Sequence, residues 1–203
     1  MELVKYFIIA FFLSALGTIP IGLITLTIAQ KTLEKGKVAG WQIAMGATVI
    51  EFVYTLIALY GLEALSIESA WKRYVQIGTL FLFLILGIYY YRKAPSTLRA
   101  TKSSSQRLDF FLGMGVGMMN MLIIPFWLVV GLWLESNGMN FDEAGCIVWF
   151  SVGAALGALL IFVVYIEGSH AILQKSQSIA TYANKVIGII FFLLAIVQLF
   201  QLI

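Results

Sequence analysis

The sequence predicts an all-α integral membrane protein. Six transmembrane helices form two inverted three-helix repeats, the first and fourth helices are broken, and both termini lie outside. Hydrophobic residues make up 61% of the 203 residues and charged residues only 11%, whereas soluble domains carry about 25% charged residues. The apolar residues form six long runs with few charged residues, and the basic residues are concentrated in alternate loops. This composition excludes a soluble enzyme, a nucleic-acid-binding protein and a disordered chain.

Each apolar run is long enough to cross a bilayer, which takes about 20 residues per helix. Strands of a β-barrel would instead alternate polar and apolar residues over about ten positions. The first run is expected to be a membrane span rather than a cleaved signal peptide, because residues 1–5 hold one acid and one base. We predict spans at residues 6–30, 38–62, 74–91, 108–134, 144–166 and 179–201.

Loop charges predict the orientation, because cytoplasmic loops of membrane proteins are rich in Lys and Arg. Of the 13 Lys and Arg residues, ten fall in the first, third and fifth loops, and the N-terminus and second loop hold the other three. The ten are Lys31, Lys35, Lys37, Arg92, Lys93, Arg99, Lys102, Arg107, Lys175 and Lys185. We therefore expect the odd-numbered loops in the cytoplasm and both termini outside.

The third loop divides the chain into two halves. Residues 94–107 form a linker rich in Ser and Thr between residues 1–93 and 108–203, within one membrane domain. We interpret it as a solvated connector rather than a site for lipid headgroups or a partner. Because three spans per half is an odd number, the second half enters the membrane from the opposite face. Such inverted repeats are typical of secondary transporters.

Two spans contain helix-breaking residues. Residues 17–22 read Gly-Thr-Ile-Pro-Ile-Gly, with Thr25 just after, and residues 113–120 read Gly-Met-Gly-Val-Gly-Met-Met-Asn, followed by Pro125. A proline inside a helix removes one backbone hydrogen bond and clashes with the preceding turn. Pro20 and Pro125 lie about half a chain apart, and matched interruptions of this kind point to a binding site at the membrane midplane. The alternative is that both breaks only serve packing.

Glu51 is the one charged residue deep inside a predicted span. An acid in that position is costly unless it is paired, hydrated or protonated, so it indicates a functional site. Tyr54 lies on the same flank of the helix. The alternative is a protonated Glu51 that only stabilises helix packing. Asn120 has two interpretations, substrate binding or satisfaction of the backbone near Pro125, and both stay open.

Other residues indicate packing, and nothing indicates a cofactor. Gly153 and Gly157, spaced as Gly-xxx-Gly, predict a close helix–helix contact. Trp127 is expected to serve packing alone. A single cysteine, Cys146, excludes an internal disulfide and a multi-cysteine metal site. We therefore predict no cofactor and no bound metal.

Four segments resemble the lysine exporter (LysE/RhtB) superfamily of small bacterial translocators. Residues 19–22 are similar to its proline–glycine break, and residues 33–40 to its basic first loop bracketed by glycine. Residues 46–62 resemble its second span, with Glu51 where the family carries an acid, and residues 120–127 resemble its Asn/Pro motif. The sequence departs from the family pattern at Ile21, Leu23 and Thr25, where a second proline and an asparagine are usual.

This resemblance implies a multi-pass protein of the bacterial inner membrane that exports amino acids or related small metabolites. Export would be driven by the proton gradient through alternating access, with Glu51 carrying the proton. The partners are then a small-molecule substrate and the lipid bilayer, with no nucleic acid, and small-residue faces permit a homodimer. The residues expected at the substrate site are Pro20, Gly22, Thr25, Glu51, Tyr54, Asn120 and Pro125.

Two other functions stay open. A divalent metal-cation exporter would need more ligands than one deep carboxylate without nearby Cys or His. A membrane scaffold without transport would need neither the breaks nor Glu51. An intramembrane enzyme would need paired acids, a Ser/His pair or metal ligands at one depth, and the sequence offers none, so no catalytic residue is predicted. A channel would need a ring of charges or a filter loop, which is likewise missing.

Overall fold

A computed structural model describes residues 2–19, 22–66, 106–120, 122–141 and 144–174, with short pieces between 77 and 92 and between 185 and 200. The described chain is helical. Its helices are α1 (Glu2–Thr18), α2 (Leu23–Lys35), α3 (Lys37–Ser66), α4 (Gln106–Met119), α5 (Ile123–Ser136), α6 (Ala144–Glu167) and α7 (Ser169–Gln174). Parts of the predicted third span, most of the predicted sixth span, and all but the end of the predicted linker lie outside the described residues.

Two described helices are long and apolar enough to cross a membrane on their own. They cover Lys37–Glu63 in α3 and Gly145–Glu167 in α6, close to the predicted second and fifth spans. Two further pairs pass the same test only as bent spans. The pair α1 and α2 is bent by 73°, and the pair α4 and α5 by 59°. The interruptions predicted in the first and fourth spans are therefore present.

The second break lies within residues 113–125, the segment that the sequence predicts to be interrupted. α4 ends at Met119 and α5 begins at Ile123, so Pro125 lies in the first turn of α5 instead of interrupting a helix. A proline is tolerated there because the first N–H groups of a helix have no partner within it. The two prolines therefore do not have the same place relative to the helices that follow them, since Pro20 precedes α2 and Pro125 lies within α5. The structure of Pro20 itself lies outside the described residues.

The first loop is much shorter than predicted. α2 continues to Lys35 and α3 begins at Lys37, so Gly36 alone joins them. Its φ of 89° is a conformation that side chains other than glycine disfavour. Lys31, expected in the loop, lies inside α2, where it is 1% exposed and pairs with Glu34. The predicted end of the first span was wrong because a paired lysine at a helix end resembles a loop residue in the sequence.

Close helix contacts join the two halves crosswise. α1 packs on α6, and α3 packs on α4. A methyl group added to Gly157 would overlap the carbonyl oxygen of Phe11, and one added to Gly46 would overlap the carbonyl oxygen of Phe110. Gly153 approaches Phe7 in the same way. The Gly-xxx-Gly packing face is thus confirmed, with backbones that approach too closely for any side chain.

Two ion pairs connect the ends of α2, α3, α4 and α6 at one end of the bundle. Lys35, the last residue of α2, binds Asp109 in the first turn of α4 at 3.0 Å. Lys37, the first residue of α3, binds Glu167, the last residue of α6. Both pairs join the first half of the chain to the second. Under the predicted orientation this is the cytoplasmic end.

An apolar contact with one hydrogen bond joins the halves at another place. Near the start of α1, the Tyr6 hydroxyl donates to the carbonyl oxygen of Asn140, in the segment between α5 and α6. The Tyr6 ring packs edge-on against Phe141 at 5.4 Å between centroids. The predicted topology puts the start of the first span and the fourth loop on one side, and this contact is consistent with that prediction.

Substitution of Gly157 should separate α1 from α6. Gly157→Leu places a side chain against the Phe11 backbone, which cannot move aside as a side chain would, so we expect about 3 kcal/mol of destabilisation. Gly115→Leu is the matched control, because nothing lies within 4 Å of a Cβ there. Thermal unfolding in detergent measures both variants. Equal melting temperatures for the two would contradict the close contact.

The two ion pairs should differ in strength. Lys35→Met leaves the Asp109 carboxylate, which is 2% exposed, without this partner, and breaking a buried pair costs about 3 kcal/mol. Lys37→Met, two residues away, removes an exposed pair worth about 1 kcal/mol or less. Thermal unfolding in detergent should show the larger loss for Lys35→Met, and a larger loss for Lys37→Met would count against this assignment.

Candidate functional site

Glu51 faces the protein interior from the middle of α3. Its side chain is 9% exposed, and its Oε1 accepts a hydrogen bond from Nε1 of Trp127 in α5 at 3.1 Å. The hydroxyls of the neighbouring threonines are satisfied within α3: the Thr48 hydroxyl donates to the Ala44 carbonyl, and the Thr55 hydroxyl to the Glu51 carbonyl. The carboxyl group is thus directed at the start of the second half of a broken span.

Trp127 is fully buried and held by other rings. Its ring meets Phe126 at 4.9 Å and Phe150 at 5.2 Å between centroids, both edge to face. The prediction that Trp127 serves packing alone is wrong, since its N–H is the partner of Glu51. A buried indole N–H needs an acceptor, and that need is the only sign of this pair in the sequence. Which acceptor it meets depends on the register of α3 against α5, which the sequence does not contain.

Tyr54 contacts the helix that precedes the same break. Its hydroxyl donates to the carbonyl oxygen of Met118 at 3.0 Å. Met118 lies in the last turn of α4, where carbonyl groups have no partner within the helix. One turn of α3 therefore contacts both helices of the fourth span, α4 through Tyr54 and α5 through Glu51.

Asn120 lies between the two helices of the fourth span and is half-buried. Its backbone N–H donates to the Gly117 carbonyl at 2.9 Å, and its carbonyl accepts from the Ile123 N–H at 3.3 Å. The backbone of Asn120 thus closes the break itself. Substrate binding by its side chain stays a prediction.

The first break contains Gly22 and Thr25. Gly22 precedes α2, and its N–H donates to the Thr25 hydroxyl oxygen at 2.8 Å, while that hydroxyl lies 3.2 Å from the Gly22 carbonyl. Thr25 is buried, and these contacts with Gly22 hold the start of α2 in place. From α6, the Tyr165 hydroxyl donates to the Ile19 carbonyl at 2.7 Å, at the end of α1. Nothing in the sequence distinguishes Tyr165, because tyrosines near helix ends are common in membrane proteins.

The structure divides the predicted site into two groups. Gly22 and Thr25 lie at the first break, and the other described candidates lie at the second. No hydrogen bond among the described residues joins the groups. Nor do three His, Cys, Asp or Glu side chains of the described residues converge where a metal could bind.

The two breaks are secured in equivalent ways. Tyr54 extends from α3, the second span of the first half, to the end of α4. Tyr165 extends from α6, the second span of the second half, to the end of α1. In each helix the tyrosine follows the close-packing glycine, Gly46 or Gly157, by the same number of residues. The carbonyl groups that they contact have the same spacing. Met118 follows Phe110, and Ile19 follows Phe11, by that same number of residues. The crosswise contacts therefore have one common register.

A protein-family model described as LysE type translocator matches residues 15–201, which is nearly the whole chain. No curated protein and no solved structure matches the chain. The family match includes both breaks, the acid on α3 and the tyrosine on α6. The chain therefore belongs to the LysE type translocator family, and with its apolar helices it is a multi-pass membrane transport protein.

Proposed function

We propose that the protein is a secondary-active exporter of amino acids or related small metabolites in the bacterial inner membrane. It works by alternating access, with six spans in two inverted repeats, both termini outside, and Glu51 as the group that carries the coupling proton. The observation that carries the proposal is the position of Glu51, a buried carboxyl group directed at a broken span. Membership of a translocator family supplies the general activity.

The chemistry around Glu51 suits a group that exchanges a cation. Its partner Trp127 is a neutral donor, and Glu51 takes part in none of the ion pairs of the described residues. A carboxylate without a permanent positive partner at this depth is costly, so a proton or a substrate ammonium group would stabilise it. An indole cannot ligate a metal, which favours a proton or ammonium over a divalent cation.

The start of α2 offers the complementary site for a substrate carboxylate. The N–H groups of its first turn have no partner within the helix, and the helix dipole adds positive character. The start of α5 is a weaker donor, because the Ile123 N–H already binds the Asn120 carbonyl and Pro125 has no N–H. A zwitterionic amino acid would thus place its carboxylate toward α2 and its ammonium toward Glu51.

The crosswise register supports the inverted repeat. Each half contributes its second helix to the broken first helix of the other half, as an internal two-fold relation requires. Movement of one half against the other would separate one contact while keeping its equivalent. This gives alternating access a simple geometric basis.

Transport in liposomes tests the proposal. With an imposed pH gradient, wild type should accumulate at least one of the twenty proteinogenic amino acids, and Glu51→Gln should lose that accumulation because it cannot exchange a proton. Glu63→Gln is the matched control, since it makes the same change in the last turns of α3. Unchanged coupling in Glu51→Gln would remove Glu51 from the mechanism. Flux of divalent cations instead would show a metal exporter, and no flux of any solute would indicate a scaffold.

The two tyrosines should influence sidedness in opposite directions. Tyr54→Phe and Tyr165→Phe each remove one hydrogen bond worth about 1 kcal/mol, or about fivefold in the balance between two states. The readout is labelling of an Asn120→Cys reporter, in a Cys146→Ser background, by an impermeant maleimide from either side. Tyr60→Phe on the exposed face of α3 is the control. A shift of both variants toward the same side would contradict the alternating model.

A further inference from the structure

The common register allows a position-by-position comparison of the two second helices. Tyr54 of α3 corresponds to Tyr165 of α6, because each hydroxyl donates to the carbonyl at the end of the opposite broken helix. Glu51 lies one turn before Tyr54, and the residue at the same distance before Tyr165 is Phe162. Phe162 is 2% exposed and belongs to a buried apolar cluster. The carboxyl group of one half is thus replaced by an apolar ring in the other.

The helices opposite differ in the same way. Met118 corresponds to Ile19, since these two residues supply the carbonyls that the tyrosines bind. Trp127 follows Met118 by the same number of residues as Ile28 follows Ile19, so Ile28 is the equivalent of Trp127. Ile28 is fully buried and lies in the same apolar cluster as Phe162. Both members of the polar pair therefore have apolar equivalents.

A pair introduced only for stability would not need to differ between two equivalent interfaces. The apolar pair of Phe162 and Ile28 shows that this position can be filled without polar groups, which avoids the cost of burying a carboxyl. The polar pair in the interface of α3 and α5 therefore has a function that the apolar pair lacks. Trp127 is well suited to it, because Phe126 and Phe150 fix its ring and so the direction of its N–H.

We propose that Trp127 is a positioning residue that acts through Glu51. Its N–H occupies Oε1 of Glu51 and fixes the carboxyl group, so that Oε2 receives the proton or the substrate ammonium group. The transport pathway accordingly passes the α3–α5 interface, and the equivalent α2–α6 interface stays sealed by Phe162 and Ile28. This inference rests on the proposed function, because it needs Glu51 to be the coupling group.

The test separates coupling from folding. The probe is the amino acid that wild type accumulates most in the liposome panel. Two rates are measured: accumulation driven by a pH gradient, and counterflow exchange without a gradient. Trp127→Phe should reduce accumulation about tenfold, the effect of losing one hydrogen bond to a charged group, and should keep counterflow near the wild-type rate. Trp133→Phe, on the exposed side of the same helix, and Ile28→Val, at the equivalent position, should change neither rate.

The Glu51→Gln background shows whether Trp127 has a role that is independent of Glu51. In a Glu51→Gln background, Trp127→Phe should have no further effect on counterflow, because the group that it positions is already lost. Replacement of Trp127 by benzothienylalanine, which keeps the shape and removes the N–H, serves if Trp127→Phe does not fold. Wild-type accumulation in either variant would overturn the inference. Loss of counterflow on Trp127→Phe in both backgrounds would also overturn it, since it would show a structural role.

The same data distinguish this inference from the proposed function. If Glu51→Gln accumulates the probe as wild type does, the proposed role of Glu51 fails whatever the Trp127 variants show. If Glu51→Gln loses accumulation and the Trp127 variants keep it, only the positioning role fails.

Discussion

The structure depends on how backbone groups freed by two helix breaks are satisfied inside an apolar bundle. Carbonyl groups at the ends of α1 and α4 have no partner within their helices and cannot face lipid. In both cases a tyrosine hydroxyl from the opposite half supplies the missing donor. This arrangement requires the helices to approach closely, and Gly46 and Gly157 permit that approach. The glycines and the tyrosines therefore act together to satisfy the carbonyl groups that the breaks leave without partners.

Glu51 lies on the helix that completes the second break, but it has no polar equivalent at the first break. It lies one turn from Tyr54, so the helix that completes one break also brings a carboxyl group to it. The equivalent turn of α6 brings the apolar Phe162 to its break. Two interfaces with one packing scheme thus differ at this position, where one holds the buried polar pair of Glu51 and Trp127 and the other holds apolar side chains.

Much of the fold could be predicted from the sequence because it follows from periodicity and composition. The spans around α3 and α6, the two interruptions and the Gly153–Gly157 packing face all depend on local residue types. The partner of Glu51, the place of Pro125 and the burial of Lys31 could not be predicted in this way. Each depends on which residues meet between helices, or on whether a helix continues, and a single sequence does not record either. The family of the chain was predicted from its motifs, and the match over residues 15–201 confirms it.

The single-residue turn at Gly36 has a mechanical consequence. α2 and α3 meet there without slack, and a methyl group on Gly40 would overlap the Thr32 side chain, so the corner is packed as well as short. A connection this short and this tightly packed restricts movement of α2 relative to α3. A displacement of the start of α2, beside the first break, would therefore also displace α3, which carries Glu51. The single residue between α2 and α3 thus couples the position of the first break to that of Glu51 at the second.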